Sequence, residues 1–422
     1  MTFEKSIHYA KKLDRHDPLR AFREQFLYPE INDKKTIYFC GNSLGLQPKK
    51  TIDYLKTELE DWKNLGVEGH FHGTNPWFEY HKFLKKGLVE LTGAKNGQEV
   101  TPMGSLTSNL HLMMVSFFRP THQKYKIIME SGAFPSDQYA IETQCRFHGL
   151  NPADTVIELA PKPGAYILET ADITNCIEEN REQVALVLMS GIQYFTGQLF
   201  DIEKITKAGH RAGAMVGWDL AHALGNVPLH LHHHQVDFAV WCSYKYLNSG
   251  PGGTGGIFVH EHHGKNGDLQ RFGGWWGHTE EERFQMKKGF KPMVGSDGWQ
   301  LSNPNVLSMA AQKASLDIFQ AAGIDNLRKK SLLLTGYLNY LLLELAADSG
   351  IFQVITPEDY ESHGCQLSLL FHDRGKHIFQ ALSDQSIVVD WREPNCIRAT
   401  PVPLYNSFQE VFEFSQALEK LL

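Results

Sequence analysis

Val236-Asp237-Phe238-Ala239-Val240-Trp241-Cys242-Ser243-Tyr244-Lys245-Tyr246-Leu247-Asn248, running on into Ser249-Gly250-Pro251-Gly252-Gly253, is the stretch whose reading decides the fold. Its first part is apolar, aromatic and β-branched, the composition of a buried strand ending near Ser243. A lysine follows at the strand's carboxyl end, just before a glycine-rich turn. In open α/β sheets ligands bind beyond the carboxyl ends of the strands. A lysine walled in there by apolar residues can lose its proton and act as a nucleophilic amine. Taken alone, Lys245 is equally well a surface residue in a loop.

Upstream, Ala214-Met215-Val216-Gly217-Trp218 is another short apolar run, and it ends in Asp219-Leu220-Ala221-His222. A lone Asp after a strand is most often a helix cap. An aspartate and a lysine at the ends of two strands form a less ambiguous pair. The aspartate can keep a pyridine nitrogen protonated, and the lysine can condense with the aldehyde of the same ring. Together they are the minimal site for pyridoxal phosphate.

Four further motifs carry a family resemblance: Ser243-Tyr244-Lys245-Tyr246-Leu247-Asn248, Phe134-Pro135-Ser136-Asp137, Gly41-Asn42-Ser43-Leu44-Gly45-Leu46 and Pro403-Leu404-Tyr405-Asn406-Ser407. In this order they resemble the kynureninases, members of the fold-type I group of pyridoxal phosphate enzymes, from about Tyr38 to the C-terminus. The resemblance implies an α/β fold with a large cofactor-binding domain, a mostly parallel central sheet and a smaller C-terminal α+β domain. It also implies a homodimer with a shared site, and hydrolytic Cβ–Cγ cleavage of kynurenine or 3-hydroxykynurenine. Boundaries are expected at 1–50 for an N-terminal arm and entrance segment, 51–305 for the large domain and 306–422 for the small one.

The same resemblance assigns roles. Lys245, Tyr244 and Asp219 are the expected catalytic residues, with Tyr244 near the phosphate as a proton relay or a phosphate ligand only. Leu106 and Thr107 are expected at the phosphate. Small hydroxyl residues at a helix start suit an anion, although ordinary capping explains them as well, and the helix itself is expected from about Leu110. Phe134, Pro135, Ser136, Asp137 and Ser190 are expected around the cofactor, with Phe134 either flat on the ring or simply core. His222 is expected at the phenolic oxygen. Trp275 and Asn303 are expected to reach a partner's phosphate, the alternative being that Trp275 folds into its own core. Ser43, His70, Ser302 and Arg398 are expected to bind substrate. Arg398 would grip its carboxylate, and His70, Ser302 and Asn303 match members that favour the 3-hydroxy substrate.

The rest of the 422 residues bounds the answer. A net charge of −7 with no basic stripe argues against nucleic acid. Six scattered cysteines with no Cys-x-x-Cys indicate neither a zinc ribbon nor a disulfide framework. That scatter also leaves no cysteine in a glycine-rich lid of the kind a cysteine desulfurase, the nearest enzymatic rival, would need. No signal peptide and no run of roughly 20 apolar residues is seen, so a cytoplasmic protein is expected. Ile52, Leu55, Leu59 and Trp62 recur at helical spacing after Pro48. Leu334, Leu338, Leu341, Leu342 and Leu345 mark a long helix, and Ser407-x-x-Glu410 is a capping box opening the last one. His230-Leu231-His232-His233-His234, like His260, His262 and His263, has no carboxylate or cysteine at ligand spacing. These histidines are read as polar connections, and no metal is expected.

Overall fold

Val184–Met189 is apolar at every position, as suits a strand covered on both faces. In the computed structural model, which describes residues 3–422, this run lies at the heart of a seven-stranded sheet. The strands are β1 (Val100–Pro102), β2 (Lys126–Glu130), β3 (Val156–Leu159), β4 (Val184–Ser190), β5 (Met215–Asp219), β6 (Phe238–Trp241) and β7 (Gly256–Val259). Their order is β1-β7-β6-β5-β4-β2-β3, and only β7 runs antiparallel to its neighbours. The pleat sends Leu186 and Leu188 into one core with Phe238 and Val240, and Val187 and Met189 into another with Trp218 and Trp241. Strand β7 was not anticipated. The glycine-rich turn after Lys245, where Gly250 sits at φ +86°, brings the chain straight back beside β6, and a direct return of this kind pairs antiparallel.

Helices pack around this sheet and around a second, smaller one. They include α1 (Ile7–His16), α2 (Thr51–Leu65), α3 (Tyr80–Thr92), α4 (Leu106–Phe117), α5 (Pro135–Phe147) and α6 (Ile202–Arg211), with α7 (Val306–Ala322), α8 (Ile324–Ser349) and α9 (Phe408–Glu419) later in the chain. The apolar stripe of α2 is a correction. Its helix forms, but Ile52, Leu59 and Trp62 face outward, Trp62 at 61% exposure, while Thr51 and Glu58 turn inward. Glu58 is tolerated inside because Asn75 Nδ2, Trp77 Nε1 and the Tyr80 hydroxyl all donate to it, at 2.8, 2.9 and 3.1 Å.

A second sheet, β8 (Phe352–Val354), β9 (Leu367–Phe371), β10 (Asp390–Arg392) and β11 (Cys396–Ala399), is antiparallel in the order β8-β9-β11-β10. It shares a core with Leu334, Leu338, Leu341, Leu342 and Leu345 of α8 and with Val411, Phe414 and Leu418 of α9, whose Ser407–Glu410 capping box is present. The N-terminal segment joins this unit: α1 packs on α9, and Ile37–Tyr38 pairs in parallel with Ile387–Val388. Helix α7, beyond the expected boundary at 305, packs instead on α2 and α3.

Among the described residues, neither ring nitrogen of buried His81 on α3 has a hydrogen-bond partner. Burial, aided by Lys85 and Lys82 and opposed by Asp297, pushes its pKa down to about 4. The unfolded chain takes up this proton below about pH 6.5, and the folded chain only below about 4. The group is therefore neutral in both states above pH ~6.5, and it costs stability as the pH falls through that window, by up to about 3 kcal/mol. His81→Phe should flatten the acid side of the stability–pH curve, read as the difference in urea midpoint between variant and wild type from pH 7 to 4.5.

Candidate active site

The carboxyl ends of β2, β4 and β5, the segment after β6 and the start of α4 surround one cavity of about 170 Å³. Lys245 lies on the connection between β6 and β7. Its Nζ is 3.0 Å from His222 Nε2 and 5.7 Å from the centre of the Phe134 ring. The Gly45 N–H donates to the Tyr244 carbonyl at 2.9 Å, and a Cβ at Gly45 would stand 2.3 Å from the Lys245 carbonyl oxygen. The glycine is thus required for the 41–46 turn to buttress the lysine's backbone.

Asp219 ends β5, is buried, and accepts from the Ala221 N–H at 2.7 Å. Its carboxyl is raised by burial, against the lowering effects of Asp137, Ala221 and Lys245. Asp137 is held well above the usual range by burial and by the adjacent Asp219 charge, with which it shares a hydrogen bond. Burial and mutual repulsion thus favour a proton shared between the two carboxyls, in a hydrogen bond from Asp137 to Asp219. His222 is pushed far below its ordinary value by burial, then by the charges of Lys245, Arg398 and Arg392, so its imidazole is neutral. His222 Nδ1 is buried and has no partner among the described residues. Burial also pushes the Tyr244 phenol up, with Cys242 adding to the effect, so it remains a donor.

Helix α4 starts at Leu106, four residues before the expected start, because Ser105 and Ser108 cap each other reciprocally. Leu106 and Thr107 consequently form its first turn, where N–H groups lack intrahelical partners, and both residues line the cavity. Phe134, Ser136, Asp137 and Ser190 line it too, whereas Pro135, at the first position of α5, does not. Phe134 is neither core nor stacked on a protein ring. It is exposed, edge-on to Tyr194 at 5.3 Å.

Sequence reasoning missed Glu130, Tyr194 and Ile192, which also line the cavity. Glu130 ends β2, is buried, and accepts from the Ser190 N–H (3.3 Å) and Oγ. An acid closing the apolar run Ile127-Ile128-Met129 was the signal available for it.

Other expected residues lie elsewhere. Arg398 is fully buried beside the cavity wall, and its Nη1 donates to the Tyr194 carbonyl at 2.7 Å. Its Nε donates to Asp390 at 3.1 Å, and Nη2 stands 2.8 Å from the same carboxylate, out of line for a hydrogen bond. The Ser43 hydroxyl donates to Asp390 as well. Ser302 and Asn303 line a separate cavity of about 500 Å³ beside Ser105 and Ser108. Trp275 does not fold into the core. It is exposed, its ring 5.6 Å from that of Phe284, while its neighbour Trp276 is buried. His70 packs edge-on to Trp77 at 5.4 Å, away from Lys245's cavity.

The residues around the cavity fit pyridoxal phosphate. They offer one amine, a buried carboxylate at a strand end, an unpartnered imidazole nitrogen and a helix start for the phosphate. The solved structures agree on the fold. A cysteine desulfurase from Thermococcus onnurineus NA1 superposes with a TM-score of 0.75 at 18% identity, covering 92% of this chain and 94% of that one. A C-DES variant with glycine covalently linked to the PLP cofactor gives 0.77 at 17%, covering 94% and 98%. The architecture is that of the fold-type I group. At the level of sequence, a family model described as the kynureninase C-terminal domain matches residues 327–418. Kynureninase of Flavobacterium johnsoniae is 48% identical over 100% of this chain and 99% of its own length. That of Myxococcus xanthus is 51% identical over 99% and 97%, and that of the animal Nematostella vectensis 46% over 98% and 93%. The chain belongs to the kynureninase family.

Proposed function

We propose that the chain hydrolyses L-kynurenine, 3-hydroxy-L-kynurenine or both, to anthranilate or its 3-hydroxy form plus L-alanine, with pyridoxal phosphate as cofactor. The observation that carries this is the convergence of Lys245, Asp219 and the first turn of α4 on one cavity, in a chain about half identical to kynureninases along its whole length. When bound, the cofactor supplies an electron sink for charge developing on the substrate's carbon skeleton. Lys245 anchors its aldehyde, Asp219 faces its ring nitrogen, and Leu106, Thr107 and Ser136 hold its phosphate. Asp137 keeps Asp219 in place by donating to it. The neutral imidazole of His222 accepts a hydrogen bond from Lys245 Nζ through Nε2 at 3.0 Å and so orients the amine. Tyr244, protonated throughout the working range, can donate to the phosphate or relay a proton during C–C cleavage. Arg398, held beside the cavity wall by Asp390 and the Tyr194 carbonyl, would exchange part of those contacts to grip the amino-acid carboxylate.

The site is completed, in this reading, by a second copy of the chain. Trp275, Ser302, Asn303 and His70 lie outside the cavity that holds Lys245, on surfaces with exposed apolar groups. Ile52, Leu59, Trp62, Val67 (71% exposed) and Phe71 are large apolar side chains left exposed on α2 and the segment after it, and a second copy of the chain would cover them. Trp62→Glu should shift the sedimentation profile from dimer toward monomer and lower cofactor occupancy with it. A variant that is monomeric yet fully loaded would refute the shared site.

Incubation of the loaded protein with each kynurenine, followed by anthranilate fluorescence and alanine release, tests the reaction. The expected preference is for the 3-hydroxy substrate, with kcat/KM favouring it by about tenfold or more. His70→Phe and Asn303→Ala should narrow that ratio. A clear preference for unsubstituted kynurenine would overturn the roles given to His70, Ser302 and Asn303.

A further inference from the structure

The end of the sheet opposite the cavity gathers histidines from two distant parts of the chain. Asp237 stands just before β6, at the end of that strand away from Lys245. Its carboxylate is only 3% exposed, and its ion-pair partners among the described residues are all imidazoles. His263 Nε2 lies 2.7 Å and His262 Nε2 3.9 Å from Oδ1. His210 Nε2, from α6, lies 2.9 Å from Oδ2, which also accepts the Val216 N–H at 2.7 Å. The lack of a carboxylate at ligand spacing, true along the chain, fails in space.

We propose that Asp237, His262 and His263 bind a divalent transition-metal ion of the zinc class. Their three ligand atoms already lie within 4.8 Å of one another. Tetrahedral Zn²⁺ with bonds of about 2.0–2.1 Å separates its ligands by roughly 3.3 Å, a value that the His263 and His262 distances to Oδ1, 2.7 and 3.9 Å, bracket. Both imidazoles follow β7 in the short turn Glu261–Gly264, and the His263 ring is set edge-on against Phe117 at 5.0 Å. The His262 side chain is 50% exposed, which gives the ion an entry path and leaves a fourth position for solvent. Oδ2 is held by His210 and the Val216 N–H, so the carboxylate is fixed from behind, the arrangement that orients metal ligands.

A neighbouring trio, Glu99, His232 and His260, is a poorer candidate. His260 uses both ring nitrogens already, one 3.3 Å from the His232 carbonyl and the other accepting the His262 N–H at 3.4 Å. Imidazole and carboxylate together favour zinc, copper or nickel over calcium or magnesium. The ion would tie α6, the start of β6 and the exit of β7 at the end of the sheet away from the cavity. It therefore acts on stability and not on the reaction.

The test uses the cofactor-loaded protein, stripped with chelator and titrated with Zn²⁺ against a chromophoric indicator, with Co²⁺ absorption as a second probe. One equivalent per chain is expected, together with a rise in thermal midpoint and the visible bands of tetrahedral Co²⁺. The pair His262→Gln with His263→Gln should abolish that equivalent while leaving cofactor absorbance and turnover intact. His210→Gln should weaken it by about 10- to 100-fold, and His232→Gln with His260→Gln should leave it in place. No uptake by the wild type, or uptake that survives loss of His262 and His263, overturns the proposal.

Discussion

Lys245→Ala is expected to lose the visible absorbance of lysine-bound cofactor and to lower kcat by about 10³-fold or more. Among the described residues the lysine is the one amine lining the cavity, so no other group there can take its place as covalent anchor or as the amine that carries the substrate's proton. Positioned proton transfer alone contributes about 10²–10⁴-fold, and loss of the covalent anchor adds to that. Phosphate-site binding through α4 does not depend on the amine, so the variant should still retain cofactor on a desalting column, in non-covalent form. Absorbance scans and single-turnover assays separate the two effects. Turnover within tenfold of wild type would remove Lys245 from the chemistry.

Asp219→Asn should lower kcat by about 10²–10³-fold, the usual effect of removing one preorganised charge from a buried site, with a smaller change in KM. The substituted amide would retain the volume and could still accept from the Ala221 N–H. It could not hold a proton on a facing nitrogen, and the Asp137 proton would lose its anionic acceptor. The sharpest readout is spectroscopic: the band of the bound cofactor should shift and its pH dependence should change, even before substrate is added. An unshifted spectrum together with unchanged kcat would mean that Asp219 acts only as a cap on the Ala221 turn.

What the linear sequence revealed of this site follows from local physics. A strand end carrying Asp219 and another leading to Lys245 are visible because β5 and β6 are short apolar runs punctuated by polar residues. Ser407 and Glu410 are visible because reciprocal capping is a contact between near neighbours. The features that were hidden depend on partners far along the chain. Strand β7 follows from where the 249–255 turn sends the backbone. The stripe of α2 reads like a core-facing helix, yet its Glu58 is drawn inward by three donors at positions 75, 77 and 80. Periodicity marks an apolar face without saying what covers it. Glu130 closes an apolar run in the sequence, but its partner appears only where β4 lies beside β2 and Ser190 meets it. Asp237 gathers His210, His262 and His263 for the same reason.

The central claim is that one covalent bond, between the amine at 245 and the cofactor aldehyde, organises the site. Borohydride reduction of the loaded protein, followed by digestion and peptide mass spectrometry, tests it most directly. A single phosphopyridoxyl group on the peptide containing Lys245, absent after prior incubation with excess substrate, is the predicted result. A label on any other lysine, or none on a protein that still cleaves kynurenine, would contradict it.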